Sequence, residues 1–366
     1  MKVLFFITRG DEIGGAQTHV RDVILGLKSH HGIECILATG SLGNFTNSME
    51  SQGVKVFHIK SLKRDICIHD IKAFFELRTL LRKIKPDIIS CHSSKAGVLG
   101  RLAAVDMRVK RVFTAHGWAF TEGVSKSKAK FYKKIEFLLS FITDAIINVS
   151  EYDRGLAKRN NIRSEHYVIH NCISDNKLSN EEEPIPKQYD MPLKFVMVAR
   201  FCDQKDHETL LNAFAKVDKN QWRLTLLGGG NSNAIKQLSN KLGVSDRIDF
   251  VGEVSDVSKF LENSDVFILI SNWEGFPISI IEAMRIGLPI IASDVGGVSE
   301  AVEEHRNGYL IPRKDTGTLE HILLGIVNSP SSLKKLGRAS RLIYEKKFTL
   351  SNMVDSYYKV FSEVMK

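Results

Sequence analysis

The chain has 366 residues, of which 43% are hydrophobic, and this apolar content excludes a disordered protein and a single small binding module. Its 51 Lys and Arg exceed its 42 Asp and Glu, and the resulting net charge of +9 favours acidic partners without identifying them. No apolar run reaches the roughly 18 residues that span a bilayer, and the first apolar run is too short for a signal peptide, so we expect a cytoplasmic protein. Five widely spaced cysteines without a CxxC pair support neither a disulfide framework nor a zinc cluster.

Short runs rich in Val, Ile and Phe alternate with longer amphipathic stretches in the first half of the chain. They predict buried strands at Val3–Ile7, Cys35–Ala38, Asp87–Cys91, Arg111–Thr114 and Ala145–Val149. This alternation is typical of a parallel sheet with helical crossovers. Consecutive glutamates and several prolines interrupt it at residues 176–194, which we interpret as a linker.

The same alternation resumes in the second half. The predicted strands there are Lys194–Ala199, Trp222–Leu227, Arg247–Val251, Val266–Ile270, Pro289–Ala292 and Gly308–Ile311. The sequence therefore predicts two doubly wound, Rossmann-like α/β domains, 1–175 and 195–347, facing each other across a cleft in which ligand binds at the carboxyl ends of the strands. Apolar residues spaced by four, three and four predict a terminal helix in 348–366 that packs back on the first domain.

The first predicted strand leads into two adjacent glycines, Gly14 and Gly15, before a predicted helix. Paired glycines let backbone N–H groups approach a phosphate at the positive end of a helix. A dinucleotide-binding fingerprint would need a third glycine and an acidic residue at the end of the second strand, and both are missing. A plain strand-to-helix turn is the alternative.

Charged residues mark the corresponding region of the second half. Arg200 and Lys205 follow the end of a strand, where two cations suit a diphosphate better than they suit the fold. Further along, Glu274 lies in a predicted loop, Pro277 at the first position of a helix, and Glu282 within that helix. Carboxylates accept hydrogen bonds from sugar hydroxyls, but two glutamates near a helix start could also simply stabilise the helix dipole.

Taken in order, the paired glycines, His116, Arg200 with Lys205, and the Glu-Gly-Phe-Pro segment ending in Glu282 resemble the retaining glycosyltransferases of family 4, which have the GT-B fold. The stretches Cys91–Gly97 and Thr114–Phe120 further resemble the bacterial branch that builds capsule, O-antigen or lipid-linked glycans. One departure is the sequence Asn-Cys-Ile-Ser at 171–174, where the family commonly has Asn-Gly-(Ile/Val)-Asp. We expect an altered hinge there.

The resemblance implies a role for each matching residue. Arg200 and Lys205 would hold the donor diphosphate, and Glu282 the ribose hydroxyls. The implied catalytic residues are His116, Arg200, Lys205 and Glu274. The implied donor-binding residues are Gly14, Gly15, Arg200, Lys205, Glu274, Gly275, Phe276, Pro277 and Glu282. No Asp-x-Asp sequence is present, so no bound metal is expected, and no cofactor is implied beyond a nucleotide-sugar substrate.

Two further segments are expected to contact the acceptor or a membrane. His92 and Lys95 are predicted at the acceptor, although Ser93 and Ser94 could merely cap the next helix. The segment 126–142 predicts a basic amphipathic helix that docks on an anionic membrane at the inner face of the plasma membrane. The predicted membrane residues are Lys130, Phe131, Lys133, Lys134, Ile135 and Leu138. A helix that packs on the core and exposes its lysines is the alternative.

The sequence thus predicts a peripheral retaining glycosyltransferase that transfers an N-acetylhexosamine from a UDP donor to a polyprenyl-diphosphate-linked saccharide acceptor. A sugar-nucleotide epimerase of the same architecture and a non-catalytic nucleotide-binding protein are the alternatives. Nucleic-acid binding is disfavoured, because the basic residues are not interleaved with a platform of aromatic side chains.

Overall fold

The computed structural model describes residues 1–12, 14–175 and 189–366, which divide into two compact units. The first unit contains Met1–Cys172 and Leu350–Lys366, and the second contains Ile173–Thr349. Residues 176–188 of the expected linker lie outside the described residues. The linker does not extend to 194 as predicted, because Leu193 is fully buried and pairs with Trp222 in the second sheet.

The first unit is built on a parallel sheet, of which seven strands lie in the described residues. The strands are β1 (Lys2–Ile7), β2 (Glu34–Thr39), β3 (Lys55–His58), β4 (Ile88–His92), β5 (Lys110–Ala115), β6 (Ala145–Asn148) and β7 (Glu165–Val168). The helices between them are α1 (Gly15–His31), α2 (Asn44–Ser51), α3 (His69–Ile84), α4 (Ser94–Ala103), α5 (Lys126–Ser140) and α6 (Glu151–Arg159). The strand order is β3-β2-β1-β4-β5-β6-β7.

The second unit repeats this design with six parallel strands in the described residues. The strands are β8 (Leu193–Val198), β9 (Trp222–Leu227), β10 (Ile248–Gly252), β11 (Val266–Leu269), β12 (Ile290–Ser293) and β13 (Gly308–Ile311). The helices are α7 (His207–Phe214), α8 (Asn233–Lys241), α9 (Ser258–Glu262), α10 (Ile278–Ile286), α11 (Thr316–Asn328) and α12 (Ser332–Lys347). Short 3₁₀ turns occupy Ser245–Arg247 and Val298–Glu300, and the strand order is β10-β9-β8-β11-β12-β13.

The last helix, α13 (Leu350–Met365), returns to the first unit and packs against α1. Its apolar stripe includes the buried side chains Met353, Tyr357 and Val360. The two helices approach closely at Gly26, where an added Cβ would lie 2.2 Å from a methyl group of Val354. Glycine at this position therefore permits the contact.

The eleven predicted strands are all present, with ends within one or two residues of the prediction. The edge strands β3 and β7 were not predicted. They are four residues long and contain no fully buried side chain, so they lack the apolar run that identified the others.

In both sheets the strand order reverses beside the first strand of the unit. Strand β1 lies between β2 and β4, and β8 lies between β9 and β11. Loops that leave the carboxyl ends of two such neighbouring strands diverge to opposite faces and open a crevice, which is where doubly wound sheets bind ligands. The loops after β8 and β11, and those after β1 and β4, are therefore where functional side chains are expected.

Candidate functional site

The loops after β8 and β11 bring together two residues that are 69 positions apart in the sequence. The ammonium of Lys205 forms an ion pair with Oε1 of Glu274, and both side chains are largely buried. The same oxygen accepts a hydrogen bond from the Ser271 hydroxyl at 2.6 Å, and Oε2 accepts one from the Gln204 amide at 3.2 Å. The predicted donor-site residues Lys205 and Glu274 thus form one cluster, with Ser271 and Gln204 as partners that the sequence analysis did not identify.

The backbone at Glu274 is fixed by a glycine that the sequence analysis also missed. Gly296 has φ of +60°, and a Cβ there would lie 1.9 Å from the Glu274 carbonyl oxygen. The next amide, of Gly297, donates to the Gly275 carbonyl oxygen at 2.8 Å. Any other residue at 296 would push this loop away, so the two glycines set the position of the carboxylate.

Arg200 lies two residues after the end of β8 and has an exposed side chain. Among the described residues it makes no ion pair. Its backbone is held by the glycines that follow β9: the Phe201 amide donates to the Gly229 carbonyl oxygen at 2.8 Å, and Gly228, with φ of +147°, leaves no room for a Cβ beside the Ala199 carbonyl. A positioned but unpaired guanidinium suits an anionic ligand.

Helix α10 follows Glu274 and carries the second glutamate. It begins at Ile278, so Pro277 is its N-cap and not its first helical residue as predicted; the Pro277 backbone is extended, with ψ of 122°. The side chain of Phe276 is buried against Phe348, which leaves the backbone of this segment for ligand contacts. Within the described part of the chain no side chain caps α10, so its first N–H groups remain available to a polar ligand.

Glu282 lies in the middle of α10 and is partly buried. Burial raises its pKa to about 7, and Asp256 adds to this effect while Arg285 opposes it. A carboxyl group that is half ionised at neutral pH is costly to the fold. Its position in the helix that follows the Glu274 loop makes Glu282 a candidate for contacts with ligand hydroxyls.

In the first unit, helix α1 begins at Gly15 directly after the loop that follows β1, with Gly14 as its N-cap. Both glycines are exposed, and no side chain among the described residues caps the helix. The free N–H groups of a 17-residue helix therefore remain available at its positive end.

Three histidines lie together beside this loop in the first unit. His116, which follows β5, is partly exposed, whereas His19 and His92 are buried. Nδ1 of His92 lies 3.1 Å from Nε2 of His116, and its Nε2 lies 3.0 Å from the Ser90 hydroxyl. His92 was predicted to contact the acceptor, but its ring is fully buried and does not reach the surface. It instead contacts His116 from the buried side.

The third histidine is held from the C-terminal helix. Nδ1 of His19 lies 3.0 Å from Oδ1 of Asn171, and its Nε2 lies 2.8 Å from the Tyr357 hydroxyl. Because Oδ1 of Asn171 can only accept a hydrogen bond, His19 carries its proton on Nδ1. Its Nε2 therefore accepts a hydrogen bond from the Tyr357 hydroxyl. The Asn171 side chain, at the start of the altered hinge sequence, therefore belongs to this histidine network.

Burial keeps these histidines neutral. It lowers the pKa of His19 to about 4, and burial together with the neighbouring rings lowers the pKa values of His92 and His116 well below 6.5. The ring nitrogens lie within 4.8 Å of one another, a spacing that a metal ion could bridge. However, both nitrogens of His19 and of His92 already have hydrogen-bond partners and the group contains no carboxylate, so the hydrogen bonds account for the spacing.

Lys95, the other predicted acceptor residue, is engaged with the protein. Its ammonium donates to the carbonyl oxygens of Lys63 and Asp65 at 2.8 and 2.6 Å and pairs with Asp70 at 2.6 Å. It therefore fastens the loop before α3 to the start of α4. The capping alternative is also incorrect, because the Ser93 hydroxyl bonds the Thr8 hydroxyl and does not cap α4.

Helix α5 packs on the core through a different stripe from the one that the sequence suggested. Its buried positions include Glu136 and Leu139, and Glu136 forms a doubly hydrogen-bonded ion pair with the fully buried Arg101.

The predicted ridge of α5 faces away from this stripe: Phe131 is 58% and Leu138 56% exposed, and Ile135 is partly exposed. Lys130 and Lys134 are exposed, while Lys133 is half-buried with its ammonium 5.8 Å from the Phe120 ring. Within the described residues, no helix combines the length and the apolar character needed to cross a bilayer.

Comparison with known proteins identifies the family. A sequence model of "Glycosyltransferase Family 4" matches residues 13–177, and one of "Glycosyl transferases group 1" matches residues 179–342. The O-antigen biosynthesis glycosyltransferase WbnH of Escherichia coli is 32% identical over 313 residues, which are 85% of this chain and 86% of WbnH. An E. coli enzyme named UDP-Gal:alpha-D-GlcNAc-diphosphoundecaprenol alpha-1,3-galactosyltransferase is 31% identical over 296 residues, 75% of each chain.

The solved structure of Anabaena HepE in complex with UDP has the same fold, with a TM-score of 0.84 at 19% identity over 99% of this chain and 100% of HepE. This likeness and the two parallel sheets agree on the architecture. The chain therefore belongs to the family 4 glycosyltransferases of GT-B fold, in the branch that builds O antigens and capsules.

Proposed function

We propose that the chain is a retaining glycosyltransferase that transfers a sugar from a UDP donor to a saccharide carried on a polyprenyl diphosphate. The observation that carries the proposal is the Lys205–Glu274–Ser271 cluster with Arg200, placed in the two loops where the strand order of the second sheet reverses. The name of the galactosyltransferase relative supports both a UDP donor and a diphosphoundecaprenol acceptor. Membership of the family favours transfer over the epimerase and non-catalytic alternatives.

The proposed reaction needs positive charge where the diphosphate leaves. The bond between the sugar C1 and the diphosphate oxygen breaks, the acceptor hydroxyl oxygen bonds to C1 on the same face, and its proton passes to the departing diphosphate. Arg200 and Lys205 stabilise the charge that develops on this leaving group. In the absence of donor, the Glu274 carboxylate balances the Lys205 charge, so Lys205 is held in place before substrate binds.

The other residues contribute binding. Glu282 accepts hydrogen bonds from the ribose hydroxyls, Glu274 and the backbone of Gly275 and Phe276 hold the transferred sugar, and the free N–H groups at Gly15 face a phosphate. His116 contacts the sugar ring through the ring nitrogen that His92 leaves free.

Two classes of donor sugar are relevant to the proposed transfer. An N-acetylhexosamine is the expected sugar, whereas the donor in the relative's name is UDP-Gal. The two classes differ at the 2-position of the ring. Thermal stabilisation by UDP-GlcNAc, UDP-GalNAc, UDP-Glc and UDP-Gal separates them, because a ligand that binds the folded state raises the unfolding temperature.

The test of transfer is release of UDP in the presence and absence of a polyprenyl-diphosphate-linked GlcNAc acceptor. We expect UDP release to require the acceptor, and the new linkage to keep the donor's α-configuration by NMR. Arg200→Ala should abolish most of this release, whereas Arg338→Ala, which removes an exposed arginine on α12, should leave it unchanged. Acceptor-independent conversion of the donor sugar, or an inverted linkage, would refute the proposal.

We further propose that the exposed apolar ridge of α5 docks this enzyme on an anionic membrane, where its lipid-linked acceptor resides. Phe131 and Leu138 are exposed although another stripe of the helix is buried on the core, and the exposed lysines Lys130 and Lys134 lie beside them. Apolar side chains flanked by lysines are typical of helices that lie in the headgroup region of a bilayer.

A further inference from the structure

A second apolar surface lies on the loop before α3 and on the first turns of that helix. Ile66 and Ile68 are 73% and 79% exposed, and Ile71 and Phe75 continue the surface along α3. Isolated exposed apolar residues are ordinary, but four within ten positions form a patch. We refer to these four residues as the α3 patch.

The α3 patch lies on the same face of the first unit as the ridge of α5. The connections from β3 to β4, β4 to β5 and β5 to β6 all proceed in one direction across the sheet, so right-handed crossovers place α3, α4 and α5 on one face. Their inner residues share one core cluster, and α4 packs against both neighbours. At about 8–10 Å between neighbouring helix axes, α3 and α5 lie about 16–20 Å apart, within reach of one flat surface.

The distribution of exposed apolar residues singles out this face. Fifteen large apolar side chains are exposed among the described residues, and eight of them lie between positions 66 and 141. Leu102, on α4, lies between the α3 patch and the α5 ridge in the helix order. Exposed apolar side chains on three neighbouring helices favour a broad, flat partner over a peptide groove.

The charges around the α3 patch identify the kind of partner. Three cations, Lys63, Arg64 and Lys72, are exposed within this segment against one exposed acidic residue, Asp65, whereas Asp70 is paired with Lys95. Lys95 holds the chain before Ile66 through the carbonyl oxygens of Lys63 and Asp65, and the chain after it through Asp70. An apolar tip flanked by an excess of exposed cations is complementary to the headgroup layer of an anionic bilayer.

We propose that the α3 patch inserts into an anionic lipid bilayer as a second membrane contact, and that Lys95 is a positioning residue that holds its loop. The proposal rests on the membrane association in the proposed function and extends it from one helix to a face of the first unit. Two separated contacts fix the orientation of this unit on the membrane, which a single helix ridge would leave free to rotate.

The test uses the full chain with the substitutions Ile66→Ser, Ile68→Ser and Ile71→Ser combined. Cosedimentation with phosphatidylglycerol vesicles at low salt should fall by about tenfold in affinity, while the unfolding temperature and UDP binding stay as in the parent. Leu342→Ser, which removes a 55% exposed apolar side chain on α12 of the second unit, is the control and should change nothing.

A fluorescent label can also report directly whether the α3 patch inserts into the bilayer. The label is an environment-sensitive dye on Ile68→Cys, with Cys67 and Cys202 replaced by serine. Its fluorescence emission should shift to the blue with phosphatidylglycerol vesicles but not with phosphatidylcholine vesicles. Adding Lys95→Met should weaken this blue shift. The same dye on Leu342→Cys should not respond.

These outcomes distinguish the second membrane contact from docking through α5 and from the transfer reaction. An unchanged triple variant or a silent dye at position 68 would overturn the second contact while leaving transferase activity and docking through α5 intact. If the parent does not bind anionic vesicles at all, both membrane contacts are wrong, yet acceptor-dependent UDP release would still establish the transfer reaction.

Discussion

Replacing Glu282 with glutamine should stabilise the folded protein above neutral pH and at the same time weaken donor binding. Burial raises the pKa of this carboxyl to about 7 from an ordinary value of 4.5. When the pKa of a carboxyl group is higher in the folded than in the unfolded state, its contribution to stability is fully present below the unfolded-state pKa. The contribution is lost as the pH rises to the folded-state pKa. The parent protein should therefore lose stability as the pH rises from about 4.5, and the loss should be complete above about pH 7.

The size of the effect follows from the two pKa values. At 1.36 kcal/mol per pH unit, the difference between about 7 and 4.5 corresponds to at most about 3 kcal/mol. Glutamine has the shape of the protonated carboxyl group and cannot ionise. Glu282→Gln should therefore raise the free energy of unfolding at pH 8 by about 1–3 kcal/mol and have little effect at pH 4.5.

Donor binding should show the opposite pH dependence. If the ionised carboxylate accepts hydrogen bonds from the ribose hydroxyls, only the fraction of protein with ionised Glu282 binds well. With a pKa of about 7, lowering the pH from 8 to 6 should weaken UDP-sugar binding about tenfold, and Glu282→Gln should abolish this dependence. A UDP-sugar is preferable to UDP as the ligand, because the terminal phosphate of UDP titrates in the same range.

Urea unfolding at pH 4.5 and 8, and calorimetric titration with a UDP-sugar at pH 6, 7 and 8, measure the two effects. Glu208→Gln, an exposed position on α7, is the control and should change stability by less than about 0.5 kcal/mol. A variant that is no more stable than the parent at pH 8 would contradict the raised pKa. A more stable variant with unchanged donor affinity would instead remove Glu282 from the donor site.

Other substitutions test the remaining residues. Arg200→Ala should lower kcat/KM by about 10²–10³-fold without changing the unfolding temperature, because its side chain is exposed and unpaired within the described residues; near-normal turnover would exclude it from the diphosphate site. Glu274→Gln should slow sugar transfer while the affinity for free UDP measured by calorimetry stays within about twofold, and an equal loss of both would contradict a role at the sugar. Glu136→Ala should lower the free energy of unfolding in urea by about 3–5 kcal/mol, since it leaves the buried Arg101 guanidinium unpaired. Replacing the exposed lysines of α5 by glutamate should reduce sedimentation with anionic vesicles yet spare UDP-sugar binding; a variant that pellets like the parent would remove α5 from the membrane surface.

Local sequence patterns were sufficient for most of the architecture. The strands that were predicted are short runs rich in apolar residues, so these runs located them in both sheets, and the glycines, prolines and charges between them located the loops. The edge strands β3 and β7 carry no such run. Similarly, the periodicity of α5 identified an apolar ridge, but it could not decide whether Phe131 or Leu139 faces the core, because both belong to apolar stripes of the same helix.

Only the tertiary structure decided which functional side chains meet and which are used by the fold. Lys205 and Glu274 were each predicted at the donor, but their ion pair depends on two loops that the strand order brings together. His92 and Lys95 carry the same motif signal as His116, yet one is buried beneath it and the other fastens a loop. The physical reason is that the pattern of a segment reports its own secondary structure, whereas hydrogen-bond and ion-pair partners come from segments tens of residues away and are fixed only when the chain packs.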